Sequence, residues 1–464
     1  MANDILRDKG FITMIYLQRW QRPLANLGIR IAVIGAILLG LQYAYTAYMR
    51  QAQSVDSASP NAILADNLSS MSTDNQVTSL QTRLKQNPDD EQAYVLLSAA
   101  YLQKVREVGD PTYYGKAEEA LRRALKLKPD DFTAMIQMGA LSLARHQFHE
   151  ALDWSEKARR ISPGTALIYG VIGDAQVELG NYDAALETFQ TMVDLRPNLS
   201  SYSRASYMRE LHGDVAGAIE AMQRAVQAGG PNSENTNWTR VQLGNLYFNS
   251  GNLEAAEAQY NQALASYPGY VYAIVGLGRV RAAQGQMDQA IKLMNQAIAI
   301  IPMPDFVITL GDLYQVTGQT KAADQQYKLV ATIEKLYQAN GVDLDLEIAM
   351  FNADHDQNLD ETLTMARKAY ANRPSIYGAD VLAWVLYKTG NYTEAQKCST
   401  EALQLGTKDA LKLFHAGMIA HALNNDQQAG QYLEQALAIN PHFSVLYAEQ
   451  ARQTLQSIQQ TATK

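Results

Sequence analysis

The sequence predicts an all-α protein, a right-handed α-solenoid of about ten helix-turn-helix repeats preceded by one transmembrane helix. Three observations predict it. Prolines recur at a fixed spacing: Pro129, Pro163 and Pro197 stand 34 residues apart, as do Pro268 and Pro302, and Pro374 to Pro441 spans 67. Between the prolines, apolar residues recur three and four apart, which is the period of a helix with one buried face. Near the start, Ile31 to Met49 forms an uncharged apolar run of 19 residues.

Composition narrows the class. The chain has 464 residues, 47% hydrophobic and 19% charged, too apolar and too lightly charged for a mainly disordered chain. A net charge of −8 argues against a nucleic-acid-binding surface. The single cysteine, Cys398, excludes an intramolecular disulfide and any zinc site built on two cysteines of one chain.

Charge is unevenly placed. Residues 1–50 carry six Lys/Arg against Asp4 and Asp8, a net of +4, which leaves the rest at −12. As a helix the run 31–49 is about 28 Å long, enough to cross a ~30 Å hydrocarbon core. Trp20 before it and Tyr43, Tyr45 and Tyr48 at its far end suit membrane interfaces. Five Lys/Arg precede the run, and after Arg50 the next basic residue is Arg83. The positive-inside rule then places the N-terminus in the cytoplasm and everything beyond residue 50 on the other side. A 30-residue basic lead without a small-residue cleavage site favours an uncleaved signal anchor over a signal peptide.

The expected organisation is a basic cytoplasmic segment at 1–30, a signal-anchor helix at 31–49, a flexible linker at 50–73, a repeat solenoid at 74–458 and a tail at 459–464. The linker is rich in Ser, Asn, Ala and Asp and is interrupted by Pro60. Repeats are placed near 92–131, 132–165, 166–199, 200–232, 237–270, 271–303, 304–342, 343–375, 376–409 and 410–443, with end-capping helices at 74–87 and 444–458. A solenoid of this kind is expected to touch mainly nearest neighbours, so each end needs a polar cap.

The inside of a unit is legible at 166–199. Ile172, Gly173 and Gln176 stand in its first helix, Gly180-Asn181 in the turn, and Tyr182, Ala185, Phe189 and Met192 in its second helix before Pro197. Gly173 and Ala185 permit close helix approach, and Tyr182 and Phe189 fill the space between. Later units repeat the pattern with Leu243, Gly244, Tyr247, Gly251, Ala256, Tyr260, Ala263 and Pro268, then Leu277, Gly278, Gly285, Ala290, Met294, Ala297 and Pro302, then Leu310, Gly311, Tyr314, Gly318, Ala323 and Tyr327. Gly417, Ala429, Leu433, Ala436 and Pro441 fit near the end. This resembles the tetratricopeptide repeat family, whose pattern is W-x2-L-G-x2-Y followed by small, aromatic, small and proline positions. Some units depart. The first carries REVGDPTYYGK between its helices, the fourth ends in Gly229-Gly230-Pro231, the seventh has a long second helix near 320–339, and the eighth has Thr362 where Ala is expected.

The resemblance implies a concave groove lined by the first helix of each unit. Candidate groove residues are Tyr202, Arg204, Trp238, Asn245, Phe248, Tyr272, Arg279, Phe351, Tyr377, Trp384, Tyr387 and Phe414. Aromatic anchors with few charges suit a protein or peptide segment. The carboxylate-holding set of the family's chaperone-binding members is not found in full, and neither the asparagine ladder nor a separate catalytic domain of its glycosyltransferase members is present.

Chemistry-bearing motifs are weak. Asp354, Asp356, Asn358 and Asp360 alternate as in a calcium loop, but Leu359 and Met365 stand where that loop wants Gly and Glu. His146 and His149 lack further zinc ligands, His415 and His421 are six apart, and no nucleophile elbow, phosphate loop or HExxH occurs. The N-x-S/T triplets begin at Asn67, Asn198, Asn237 and Asn391. The expectation is a non-catalytic, membrane-anchored scaffold with no cofactor or metal, which binds protein or peptide partners and neither nucleic acid nor a small-molecule substrate. Its role would lie in envelope assembly, secretion or complex maturation. The alternatives are a cytosol-facing receptor or co-chaperone-type adaptor with an inverted anchor, a layout shared with mitochondrial outer-membrane import receptors, and a non-catalytic subunit of an enzyme complex.

Overall fold

The computed structural model describes residues 71–231 and 233–462. The basic segment, the anchor run and nearly all of the linker lie outside the described residues. Among the described residues no helix is long and apolar enough to cross a membrane.

The described chain is a succession of helices. An end helix, α1 (Thr73–Gln86), precedes ten antiparallel pairs. These are α2 (Glu91–Val108) with α3 (Thr112–Leu127), α4 (Phe132–Ala144) with α5 (Phe148–Ile161), α6 (Ala166–Glu178) with α7 (Tyr182–Leu195), α8 (Leu199–Leu211) with α9 (Val215–Ala228), and α10 (Glu234–Asn249) with α11 (Leu253–Ser266). There follow α12 (Val271–Ala283) with α13 (Met287–Ile300), α14 (Pro304–Val316) with α15 (Thr320–Ala339), α16 (Asp345–Asp354) with α17 (Leu359–Asn372), α18 (Ile376–Lys388) with α19 (Tyr392–Ala402), and α20 (Ala410–Ala422) with α21 (Asp426–Ile439). A last helix, α22, spans Ala448–Ala462.

Local chemistry sets the boundaries. Asp90, Asp131, Asp214, Ser375 and Asp409 each accept a backbone N–H at the start of a first or second helix, which supplies a partner the helix itself lacks. Asn198 and Ser201 make a reciprocal capping box ahead of α8. Within pairs and between neighbouring pairs, small faces large. A β-carbon at Gly173 would fall inside the Phe189 ring, and one at Gly244 or Gly276 would strike Tyr260.

Three departures from expectation have simple causes. The insertion in the first unit is absorbed by lengthening α2 to 18 residues, and only the short turn ending at Pro111 remains. The last helix begins at Ala448 rather than 444, because residues 441–447 form turns packed elsewhere. In the eighth unit Thr362 is buried like the alanine it replaces, and its hydroxyl accepts from Asn352 Nδ2 at 3.0 Å.

The helices pack mainly on their neighbours in the chain, as expected, but a second set of contacts joins distant units. The solenoid coils back on itself, so that later units lie against earlier ones. Asp343 N donates to Arg145 O at 3.0 Å, and His146 Nδ1 donates to Asp343 O at 2.6 Å, 197 residues away. Arg373 Nε donates to Glu178 Oε2 at 2.5 Å across 195 residues, and Asn440 Nδ2 to Phe248 O at 3.0 Å across 192. The near-constant separation, just under six 34-residue units, is the length of one superhelical turn. The core follows suit: one buried apolar cluster joins Leu167, Ile172 and Phe189 to Val307, Ile333, Phe351 and Ile376.

Candidate functional site

The first helices form the inner wall of this coil. They are buried on nearly every side: in α18, eleven consecutive residues from Ile376 to Leu386 are buried. The second helices bury a single stripe, as in α13, where Ala290, Met294 and Ala297 alone are buried. The inner wall therefore carries most of the buried aromatic and ionic contacts, and the outer wall carries most of the exposed polar ones.

Of the twelve candidate groove residues, Arg204, Trp238, Asn245, Phe248, Phe351, Tyr377, Trp384 and Phe414 are buried, and Tyr202, Tyr272, Arg279 and Tyr387 are half-buried. Most meet other parts of the chain. Arg204 clasps Asp174 through two hydrogen bonds of 3.0 and 2.6 Å. Burial holds Asp174 above its ordinary range even against that guanidinium. Asn245 accepts from Tyr260 OH at 2.8 Å. Trp238 meets Tyr272 edge-on at 4.9 Å, and Tyr272 meets Phe306 at 6.0 Å. Tyr202 packs between two clusters of the early units. Phe351 lies 4.6 Å from the His355 ring. Trp384 is sandwiched, with Tyr387 stacked at 4.7 Å and His415 at 4.2 Å.

Three of the twelve converge on an opening. Phe248, Arg279 and Tyr377 line a cavity of about 200 Å³ bounded by the first helices α10, α12, α14, α16, α18 and α20. The Arg279 guanidinium lies over the Phe248 ring at 4.3 Å. Asp305, Asp312, Asp354, Asp380 and Asp409 share the lining with Lys412. Asp409 accepts from Lys412 Nζ at 2.7 Å, and Asp312 accepts from His355 Nε2 at 2.9 Å and from Tyr327 OH at 3.1 Å. Burial raises the Asp312 pKa, whereas His355, despite its own burial, is raised by that carboxylate. Each stabilises the charged form of the other at a cost in desolvation.

Sequence reasoning missed Asp409, Lys412, His415 and Tyr447 as parts of this wall. His415 is fully buried and its Nδ1 meets Asp380 Oδ1 at 3.0 Å. A signal was present: Asp380, Lys412 and His415 are isolated polar residues in otherwise apolar first helices. Two aspartates of the calcium-like loop are engaged by side chains: Asp354 accepts from Trp384 Nε1 at 3.0 Å, and Asp356 from Lys388 at 2.7 Å. Among the described residues no group of three or more His, Cys, Asp or Glu is placed to hold a metal ion. Cys398 is buried, and that burial pushes its thiol up to about 11, away from the reactive thiolate. Asn237 is wholly buried, so its triplet is closed to a modifying enzyme in the folded chain.

The fold and its inner wall define a helical repeat solenoid. The tetratricopeptide repeat family model matches residues 171–233, 241–302 and 381–442, less than half of the chain. Among curated proteins the chain is 28% identical over 210 residues to the protein CTR9 homolog of Arabidopsis thaliana, covering 43% of this chain and 19% of that one. It is 23% identical over 335 residues to the cellulose synthase operon protein C of Komagataeibacter xylinus, covering 66% and 23%. The chain thus spans about a fifth of the length of these relatives. A solved tetratricopeptide protein of Thermus thermophilus is 23% identical, covers 42% of this chain and 99% of its own, and gives a TM-score of 0.36.

Proposed function

We propose that this chain is a membrane-anchored scaffold whose concave channel binds a segment of a protein partner. One observation carries the reading: the inner wall, filled by the chain's own side chains elsewhere, leaves a cavity of about 200 Å³ beside Phe248, Arg279 and Tyr377. Apolar rings with a few convergent polar groups suit a peptide side chain as an anchor. The cationic start and the apolar run 31–49 support a signal anchor, N-terminus in the cytoplasm and repeats on the opposite side. A role in envelope assembly, secretion or complex maturation accords with that placement.

Two measurements test this reading. Partners recovered with the full chain from native membranes should fall about tenfold with Arg279→Glu and stay constant with Lys292→Glu, which lies exposed on the outer helix α13. Equal recovery with both variants removes the channel from the reading. Protease added to sealed cells or organelles should leave the repeats intact when they lie outside the cytoplasm within an enclosed compartment. Digestion from the cytosolic side would favour the receptor with an inverted anchor.

A further inference from the structure

The turn between α21 and α22 does more than connect them. A cap at the end of a solenoid needs only to cover the last pair, and α22 packs on α21 in this way. The turn at residues 441–447 instead reaches back into the channel. Tyr447 OH donates to Asp354, with the main-chain oxygen and Oδ1 each at 3.1 Å, 93 residues earlier. The Tyr447 ring stacks on Phe414 at 4.9 Å and meets Trp384 edge-on at 5.5 Å. Phe443 meets Phe414 as well, tilted, with ring centroids 5.6 Å apart. Val445 packs against the cluster of Val271, Phe306 and Leu310, from much earlier units. Two of the candidate anchors, Trp384 and Phe414, are thus met by Phe443 and Tyr447 of the chain's own later segment.

We propose that residues 441–447 are an internal ligand of the channel, and that the partner is a protein segment presenting the same spacing: an aromatic residue, an aliphatic one two positions on, and a second aromatic two positions further. This rests on the channel-binding reading above and adds the partner's chemistry and its regulation. The turn is suited to leave. Pro441 and His442 are exposed, Ser444, Val445 and Leu446 are half-buried, and the turn itself lines part of the cavity. An incoming segment that fills the cavity as well as the aromatic positions would bury apolar surface the turn leaves open, and that gain must offset the high effective concentration of the tethered turn.

The test uses the full chain and a fluorescent peptide of residues 440–450. In the double variant Phe443→Ala with Tyr447→Ala, hydrogen exchange over 441–447 should rise, and the peptide should bind at least tenfold more tightly than to the unaltered chain. Gln456→Ala, exposed on α22, should match the unaltered chain. Tyr447→Phe, which removes only the hydroxyl, should raise both readouts severalfold and serves if the double variant does not fold. Raised exchange without a gain in peptide binding would overturn the assignment of the turn as a ligand mimic. Unchanged exchange would overturn its displaceability. Peptide binding that is equal in all variants would show that the turn does not occlude the channel. Failure of the scaffold reading is separate: it would appear as partner recovery insensitive to Arg279→Glu in the unaltered chain.

Discussion

The backbone amide of Ile376 donates a 2.7 Å hydrogen bond to the phenolic oxygen of Tyr182, which lies 194 residues earlier. Both groups are buried, and the bond joins the start of α18 to the start of α7. Beside it, Arg373 reaches Glu178 at 2.5 Å and Glu347 at 2.9 Å, so one guanidinium ties the third unit to the eighth. A solenoid whose successive coils are stapled in this way folds as more than a row of neighbours.

Arg373 is the first residue to test. Burial works against its charge, yet Glu178 and Glu347 hold its pKa above the ordinary value, so the cation persists at every working pH. Arg373→Met keeps the apolar stem against Phe148 and Tyr377 and leaves two carboxylates without their cation. Stability should fall by about 3–5 kcal/mol, the usual cost of breaking one side of a buried pair. Urea denaturation measures it, and small-angle scattering should show an expanded particle if the coils part.

Two turn glycines separate coil packing from backbone strain. Gly213 and Gly285 share the same φ of +75°, so alanine suffers the same left-handed penalty at each, about 1 kcal/mol. Their surroundings differ. A β-carbon at Gly213 would meet the carbonyl oxygen of Gly406 in the next coil, while at Gly285 nothing lies within 4 Å. Gly213→Ala should therefore cost roughly 1–3 kcal/mol more than Gly285→Ala. Equal losses by thermal denaturation would mean that the coils do not touch there in solution.

Much of this was legible beforehand. The proline period and the small-large alternation of Gly173 and Phe189 mark the repeats, because helix termination and pairwise packing are local. The coiling was not legible. It accumulates from small rotations between units, and no motif marks a contact such as Asn440 with Phe248, 192 residues apart. The same cause explains the candidate site: groove register found Phe248, Arg279 and Tyr377, but it could not show that Trp384 and Phe414 would be met by Phe443 and Tyr447.

Glu210 supplies a pH dependence. Burial first, then the neighbouring Asp409, pushes its carboxyl from 4.5 up to about 8, and Lys412 opposes the shift. Between those values the folded chain holds a proton that the unfolded chain has lost, so stability falls as pH rises through that window. Glu210→Gln should remove this slope. The variant should match the parent near pH 4.5 and exceed it by about 1–3 kcal/mol at pH 8 and above. Asp409, raised by its own burial, leaves a residual slope of the same sign. Denaturation midpoints across pH 4.5–9 would check the convergence at the acid end.

Tyr182→Phe probes the staple itself with the least change. The ring continues to fill its site, and only the acceptor for the Ile376 amide is removed. Ser375 already caps α18 by accepting from Gly378 N at 3.2 Å, so the helix start survives. The buried Ile376 N–H is left without its phenolic partner, at a cost of about 1–3 kcal/mol. Because burial and nearby Glu178 hold the Tyr182 proton well above the ordinary phenol range, the loss should be the same from pH 6 to pH 9. Hydrogen exchange of the 373–379 segment should quicken by at least tenfold, while that of α13, on the outer wall and away from the staple, stays unchanged. If exchange quickens equally in α13, the coils open as a whole rather than at this bond; if it does not change, the bond between Tyr182 and Ile376 does not hold the two coils together.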